Sequence, residues 1–179
     1  CSLMANLEFG RKIVDTMTRA HAMGAKVSFD PNIRPELLKD PEALDLVAAV
    51  LDKTSVFMPG KSELRMLSGC EDIEEAVKAL FETKPLLELI VLKNGKKGCI
   101  IYSRTERIVF GVYAIEPVDA TGAGDSFCSG FLAAFARGMN PVECTQFANA
   151  TGAACVQAIG ATTGIESYDK IIEFMEAHK

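Results

Sequence analysis

Short apolar runs alternate along this chain with amphipathic stretches, most of ten or more residues, and no other feature constrains the fold as much. Lys26 to Phe29, Ser55 to Met58 and Leu89 to Leu92 read as buried strands. Apolar residues at helical spacing fill Leu7 to Met23, Pro41 to Lys53, Ser62 to Leu67 and Ile73 to Thr83. Gly24 is a natural stop for the first helix, and Asp40-Pro41 supplies an N-cap followed by a first-turn proline. Strands separated by helices return in the same direction, so the sheet is predicted to be largely parallel.

The second half of the chain changes character. Lys93-Asn94-Gly95-Lys96-Lys97-Gly98 is turn chemistry, and Cys99 to Tyr102 with Ile108 to Tyr113 reads as a hairpin. Asp119 to Gly124 is a loop, followed by helices over Asp125–Arg137, Pro141–Ala158 and Tyr168–Ala177, with a further loop at Gly160–Gly164. The expected architecture is α/β, Rossmann-like, with a largely parallel sheet flanked by helices in one domain over 1–179. Cys1-Ser2-Leu3-Met4 reads as the end of a strand or loop, as if the chain began in mid-protein.

Charge and composition narrow the function classes. A net charge of −5 argues against a nucleic-acid partner, which selects a basic face. No apolar run reaches the ~18 residues that span a bilayer, so no membrane partner is expected. Six cysteines occur without a C-x-x-C pair, and His21 and His178 lie far from them, which disfavours a structural zinc site. Cys128, Cys144 and Cys155 fall in helical apolar stretches and read as buried thiols of a reducing, cytoplasmic compartment.

The segment Asp119-Ala120-Thr121-Gly122-Ala123-Gly124-Asp125-Ser126-Phe127 carries the chemistry. Small residues leave the backbone of 122–124 uncovered, and a helix start adds unsatisfied N–H groups and a positive dipole end. Together these suit a phosphate. Asp125, in the first turn, is placed to take a proton from an incoming hydroxyl, the arrangement that phosphoryl transfer uses. The residues alone leave a plain capped helix open. They do exclude a Walker loop, which needs Gly-Lys-Ser/Thr, and they fit the dinucleotide fingerprint poorly.

That nine-residue string resembles the second signature of the ribokinase (PfkB) carbohydrate kinases. The resemblance implies a ribokinase-like fold and phosphorylation of a sugar or sugar-acid hydroxyl by ATP with Mg²⁺. Asp125 takes the role of catalytic base, touching the substrate, and Gly122, Ala123 and Gly124 form the anion hole. Lys93, Gly95 and Gly98 match the strand-turn-strand that contacts the nucleotide, and Asn149 matches a position beside the adenine. Pro59-Gly60-Lys61-Ser62-Glu63 resembles a stretch that reads Pro-Asn-x-x-Glu in many relatives. There Glu63 organises Mg²⁺ through water, while Gly60 departs from the common Asn, as in 2-keto-3-deoxygluconate kinase-like members.

Asp30-Pro31-Asn32-Ile33-Arg34 resembles the Asp-x-Asn-x-Arg segment of the fructokinase and ketodeoxygluconate kinase branches, which makes Asn32 and Arg34 substrate-binding candidates. The residues alone leave Asp30 open as a mere turn former before Pro31. By the same resemblance Asp119 and Thr121, with carbonyls near Cys155, Ala158 and Gly160, hold a monovalent cation such as K⁺. The match covers the family's C-terminal portion only. The glycine-rich sugar-binding signature and the lid strands are expected to be absent, and the lid carries the homodimer contact of full-length relatives. Fructokinase, nucleoside kinase and a non-catalytic nucleotide-binding fragment are the alternatives to a 2-keto-3-deoxygluconate kinase.

Overall fold

The computed structural model describes residues 2–34, 36 and 40–178. These fall into two compact units. The first runs to Asn94 and includes Ile100–Ile108, and the second comprises Gly95–Cys99 and the residues from Val109 onward.

In the first unit, β1 (Ser28–Phe29), α2 (Pro41–Leu51) and β2 (Val56–Phe57) form one strand–helix–strand crossover, with α1 (Leu7–Ala22) ahead of it. Two helices, α3 (Lys61–Ser68) and α4 (Ile73–Thr83), then lead to β3 (Leu89–Lys93). β1 pairs parallel with β2, Ser28 opposite Val56, and β2 pairs parallel with β3, Val56 opposite Leu89. β4 (Cys99–Tyr102) and β5 (Arg107–Phe110) complete a five-stranded mixed sheet in the order β1-β2-β3-β4-β5. The links from β3 to β4 and from β4 to β5 are far shorter than the dozen residues a parallel return requires, so hairpins close this side of the sheet. Ser103 N–H donating to the Glu106 carbonyl at 2.9 Å marks the second turn.

Helix starts follow local chemistry. The side chains of Asn6, Asp40 and Asp72 accept backbone N–H groups at the first turns of α1, α2 and α4. The apolar faces of these helices then close on the strands. Phe57, Leu64, Leu80, Leu87, Ile90 and Leu92 are fully buried in one cluster with Ile100 and Tyr102. Each such side chain contributes roughly 1.5–3 kcal/mol by leaving water. Val47 and Val50 of α2 join Met4 and the inner face of α1 in a second cluster.

The second unit is built on α5 (Ala123–Phe135), α6 (Pro141–Cys155) and α7 (Tyr168–Ala177). Buried Gly130 lets α5 approach α6 closely, since a Cβ there would lie 2.5 Å from Thr151 Oγ1. The capping box of Asn140 and Glu143, with Pro141 behind it, opens α6.

Several expected boundaries move. Helix α5 starts at Ala123 rather than Asp125, because Gly122 adopts the left-handed conformation of φ 76° as its N-cap. α6 stops at Cys155, and β5 spans Arg107–Phe110 rather than 108–113. Ser2–Ala5 forms a 3₁₀ turn, not a strand end, and Cys1 lies outside the described residues. Among the described residues no helix is long and apolar enough to cross a membrane.

Candidate active site

In the second unit, the loop before α5 is held by one carboxylate. Asp119 Oδ1 accepts from the Thr121 amide at 2.9 Å and from its hydroxyl at 2.7 Å, and Oδ2 accepts from the Gly160 amide at 2.9 Å. These donors, the Thr121 hydroxyl first, then the Gly160 and Thr121 amides, hold the Asp119 carboxyl below its ordinary value. The loop at Gly160–Gly164 is thereby laid against the loop at 119–124. Gly122 makes the closest approach, since a Cβ there would stand 2.5 Å from the Ala161 carbonyl oxygen. Cys155 Sγ donates to that carbonyl at 3.2 Å and to the Thr121 carbonyl at 3.5 Å, and the Ala158 amide donates to the Cys155 carbonyl at 3.4 Å.

From this anchored loop the chain enters α5. The Ala123 amide closes a turn on the Ala120 carbonyl at 3.2 Å, and the Ser126 amide makes the first intrahelical bond, to Gly122, at 2.8 Å. Among the described residues the amides of Gly122, Gly124 and Asp125 meet no protein acceptor. Asp125 is the third residue of the helix, and its side chain is exposed without an ion-pair partner among the described residues. Bare amides and a carboxylate thus share one helix start, which attracts an anion and can take up a proton.

Also in this unit, Gly95 (φ 56°) and Gly98 (φ 84°) shape the turn before β4. A Cβ on Gly98 would stand 1.9 Å from the Phe110 carbonyl oxygen, so no side chain fits. Asn149 of α6 donates from Nδ2 to the Gly111 carbonyl at 3.1 Å, and Cys99 Sγ lies 3.8 Å from its Oδ1. Burial pushes the Cys99 thiol up to about 12 despite that contact, so the thiol remains protonated at neutral pH.

In the first unit the remaining candidates gather at the carboxyl ends of β1, β2 and β3, the edge where open α/β sheets bind ligands. Asp30 follows β1 and Lys93 ends β3, and the two form a half-buried ion pair. The Lys93 amide donates to the Pro59 carbonyl at 2.8 Å. Glu63, in the first turn of α3, accepts the Gly60 amide at 2.6 Å and the Ile33 amide at 2.7 Å, one on each oxygen. Asn32 has the one positive φ (40°) found on a non-glycine among the described residues, and Asn32 and Arg34 are both exposed. Sequence spacing shows neither the Asp30–Lys93 pair nor the Glu63–Ile33 contact, because each joins residues 30 or more positions apart. The packing of Ala161 on Gly122 is equally silent in sequence. Its one signal is Gly122 itself, which tolerates both the conformation and the contact.

The model of the pfkB family carbohydrate kinases matches residues 7–167. A 2-dehydro-3-deoxygluconokinase of Bacillus subtilis (strain 168) is 31% identical over 176 residues, covering 96% of this chain and 52% of that protein. A fructokinase of Salmonella thompson is 31% identical over 177 residues, covering 92% of this chain and 78% of that protein. The crystal structure of a fructokinase double mutant from Vibrio cholerae O395, in its fructose-, ADP- and potassium-bound form, superposes with a TM-score of 0.88 at 26% identity. That superposition covers 97% of this chain and 58% of the other. The chain spans about half the length of most of the curated relatives it matches. With a match that begins in α1 and ends just before α7, the chain belongs to the pfkB family of carbohydrate kinases.

Proposed function

We propose that the protein transfers the γ-phosphoryl group of ATP to a hydroxyl of a sugar or sugar acid. The observation that carries this reading is the start of α5, where the exposed Asp125 carboxylate shares one turn with unengaged backbone amides. Asp125 accepts the hydroxyl proton on a carboxylate oxygen as the hydroxyl oxygen bonds to the γ-phosphorus. The bond from that phosphorus to the β–γ bridging oxygen breaks, and ADP leaves with the electron pair. The amides of Gly122 and Gly124 offset the charge on the transferring group. Ala123, engaged in its turn, serves chiefly to fix their direction.

Mg²⁺ fits this chain as a companion of the triphosphate, whose oxygens it neutralises when bound. Among the described residues no group of three or more His, Cys, Asp or Glu side chains could cage a metal, which suits an ion that keeps its waters. Glu63, half-buried at the sheet's carboxyl edge, is the carboxylate that would reach such a water. Gly95, Gly98 and Asn149 of the second unit, and Lys93 of the first, are the residues proposed to contact the nucleotide. The cation proposal rests on the loops joined by Asp119 and Gly160, where the carbonyls of Thr121, Ala158 and Gly160 are hard ligands of the kind K⁺ prefers. We read residues 1–179 as the nucleotide-binding, catalytic portion of a cytoplasmic enzyme whose full-length form is a homodimer.

A sugar acid such as 2-keto-3-deoxygluconate is the proposed acceptor. Arg34 offers a guanidinium suited to a carboxylate, and Gly60 stands in the Pro-Gly-x-x-Glu form. The test is ADP release by the full-length protein across 2-keto-3-deoxygluconate, fructose and nucleosides, beside Asp125→Asn. Turnover with the keto acid that falls about 10²–10⁴-fold in the variant, with ATP affinity kept, is the expected result. Fructose turnover alone would move the assignment to fructokinase. ATP binding without any turnover would make the chain a nucleotide-binding module.

A further inference from the structure

Glu63 uses both carboxylate oxygens on backbone amides of two different loops. Oε2 holds the Gly60 amide in the turn between β2 and α3, and Oε1 holds the Ile33 amide in the loop that follows β1. Ile33 is the residue between Asn32 and Arg34, the two proposed acceptor-binding side chains. The loop is fastened on its other flank as well. Asp30 Oδ1 accepts the Asn32 amide at 3.2 Å, while Asp30 Oδ2 pairs with Lys93 at the end of β3. Asn32 therefore sits at its positive φ, which asparagine tolerates better than most residues, between two held amides.

Gly60 belongs to the same device. A Cβ at this position would stand 3.3 Å from Glu63 Oε2, closer than side chains ordinarily tolerate. The φ of −80° at Gly60 suits any residue, so backbone conformation does not call for glycine, and a Cβ here would press the carboxylate to give by a few tenths of an ångström.

We propose that Glu63 is a positioning residue for the acceptor-binding loop, clamping residues 32–34 to the start of α3 so that Asn32 and Arg34 are presented in a fixed geometry. The proposal rests on the kinase reading for what Asn32 and Arg34 bind. The clamp itself rests on the two hydrogen bonds alone.

The isosteric Glu63→Gln discriminates, because a carboxamide has one oxygen for two amides and turns an NH₂ donor toward the other. Two readouts separate the clamp from a purely metal-directed role. In the unliganded protein, amide hydrogen exchange at Ile33 is expected to speed up about tenfold or more in Glu63→Gln, the scale of a lost charge-assisted bond. In the full-length enzyme the acceptor KM is expected to rise by about the same factor, whatever change Glu63→Gln makes in the Mg²⁺ requirement. Gly60→Ala, which crowds the carboxylate without removing it, is expected to shift both readouts the same way by a smaller factor, and it replaces Glu63→Gln if that variant does not fold. An Ile33 amide that exchanges in the wild type as fast as in the variants overturns the proposal. So does an unchanged acceptor KM, or a rise in Mg²⁺ requirement alone. Absence of wild-type turnover would count against the kinase reading only, and Ile33 exchange would still decide the clamp.

Discussion

Glycine 98 and glycine 24 have similar positive φ values, 84° and 88°, yet their surroundings differ completely. Nothing lies within 4 Å of a Cβ built on Gly24, whereas one on Gly98 would strike the Phe110 carbonyl at 1.9 Å. Gly24→Ala is expected to cost about 1–2 kcal/mol, the left-handed penalty by itself. Gly98→Ala adds a backbone collision that no rotamer relieves, and a loss of about 4 kcal/mol or more is expected from chemical denaturation. Equal losses for the two would show that the turn at 95–98 can yield. Asp119 makes a second residue-scale prediction. Its carboxyl is held below the ordinary value, so the folded state binds that proton more weakly than the unfolded state does. The stability it contributes is complete above the unfolded value of 3.8 and is lost as pH falls through the depressed folded value. Melting curves from pH 7 downward should show wild type and Asp119→Asn converging below about pH 4. A constant gap down to the lowest pH would count against the network at Thr121 and Gly160.

At the scale of elements, α4 ends on a residue from another part of the chain. Arg104, in the turn between β4 and β5, donates to the carbonyl of Phe81 at 2.9 Å and to those of Lys84, Pro85 and Leu87 at 3.3–3.4 Å. Its guanidinium also lies over the Phe81 ring. A cation at the carbonyl end of a helix complements the dipole and satisfies orphan acceptors. Arg104→Ala should lower stability by about 2 kcal/mol, and Arg104→Lys should recover less than half of that, because an ammonium lacks the rigid fork that spans several carbonyls. Full recovery by lysine would reduce the effect to charge alone. The helices themselves were legible before any coordinates: α4 and α7 run over the predicted residues, and apolar spacing with Asp72 and Ser167 caps explains why. The start of α5 was not legible to the residue. Gly122 is the N-cap in a left-handed conformation, and the residue packed against it, Ala161, comes from a loop 39 positions later.

For the whole molecule, the kinase reading predicts linkage between ligand and stability. Mg²⁺-ATP at a hundred times its dissociation constant should stabilise the protein by about 2.7 kcal/mol, visible as a rise in melting temperature. Asp125→Asn should retain that rise while losing turnover, since on the proposed reading its carboxylate acts on the acceptor. A loss of the rise in this variant would instead make Asp125 a nucleotide-holding residue. K⁺ in place of Na⁺ should add a further increment if the loops joined by Asp119 and Gly160 hold a cation, and equal curves in the two salts would remove that site.

Local sequence determined the alternation of strand and helix, the turn at 93–98, the small-residue loop before α5 and the membership these imply, because periodicity, glycine and capping chemistry act over a few residues. The tertiary structure alone decided which groups those residues would serve. Lys93 meets Asp30, Glu63 spans to Ile33, and Asp119 reaches Gly160 across separations of 63, 30 and 41 positions. A carboxylate or ammonium takes its partner from whatever the folded backbone brings within about 3 Å, and that choice is written in the packing of elements, not in the neighbours along the chain.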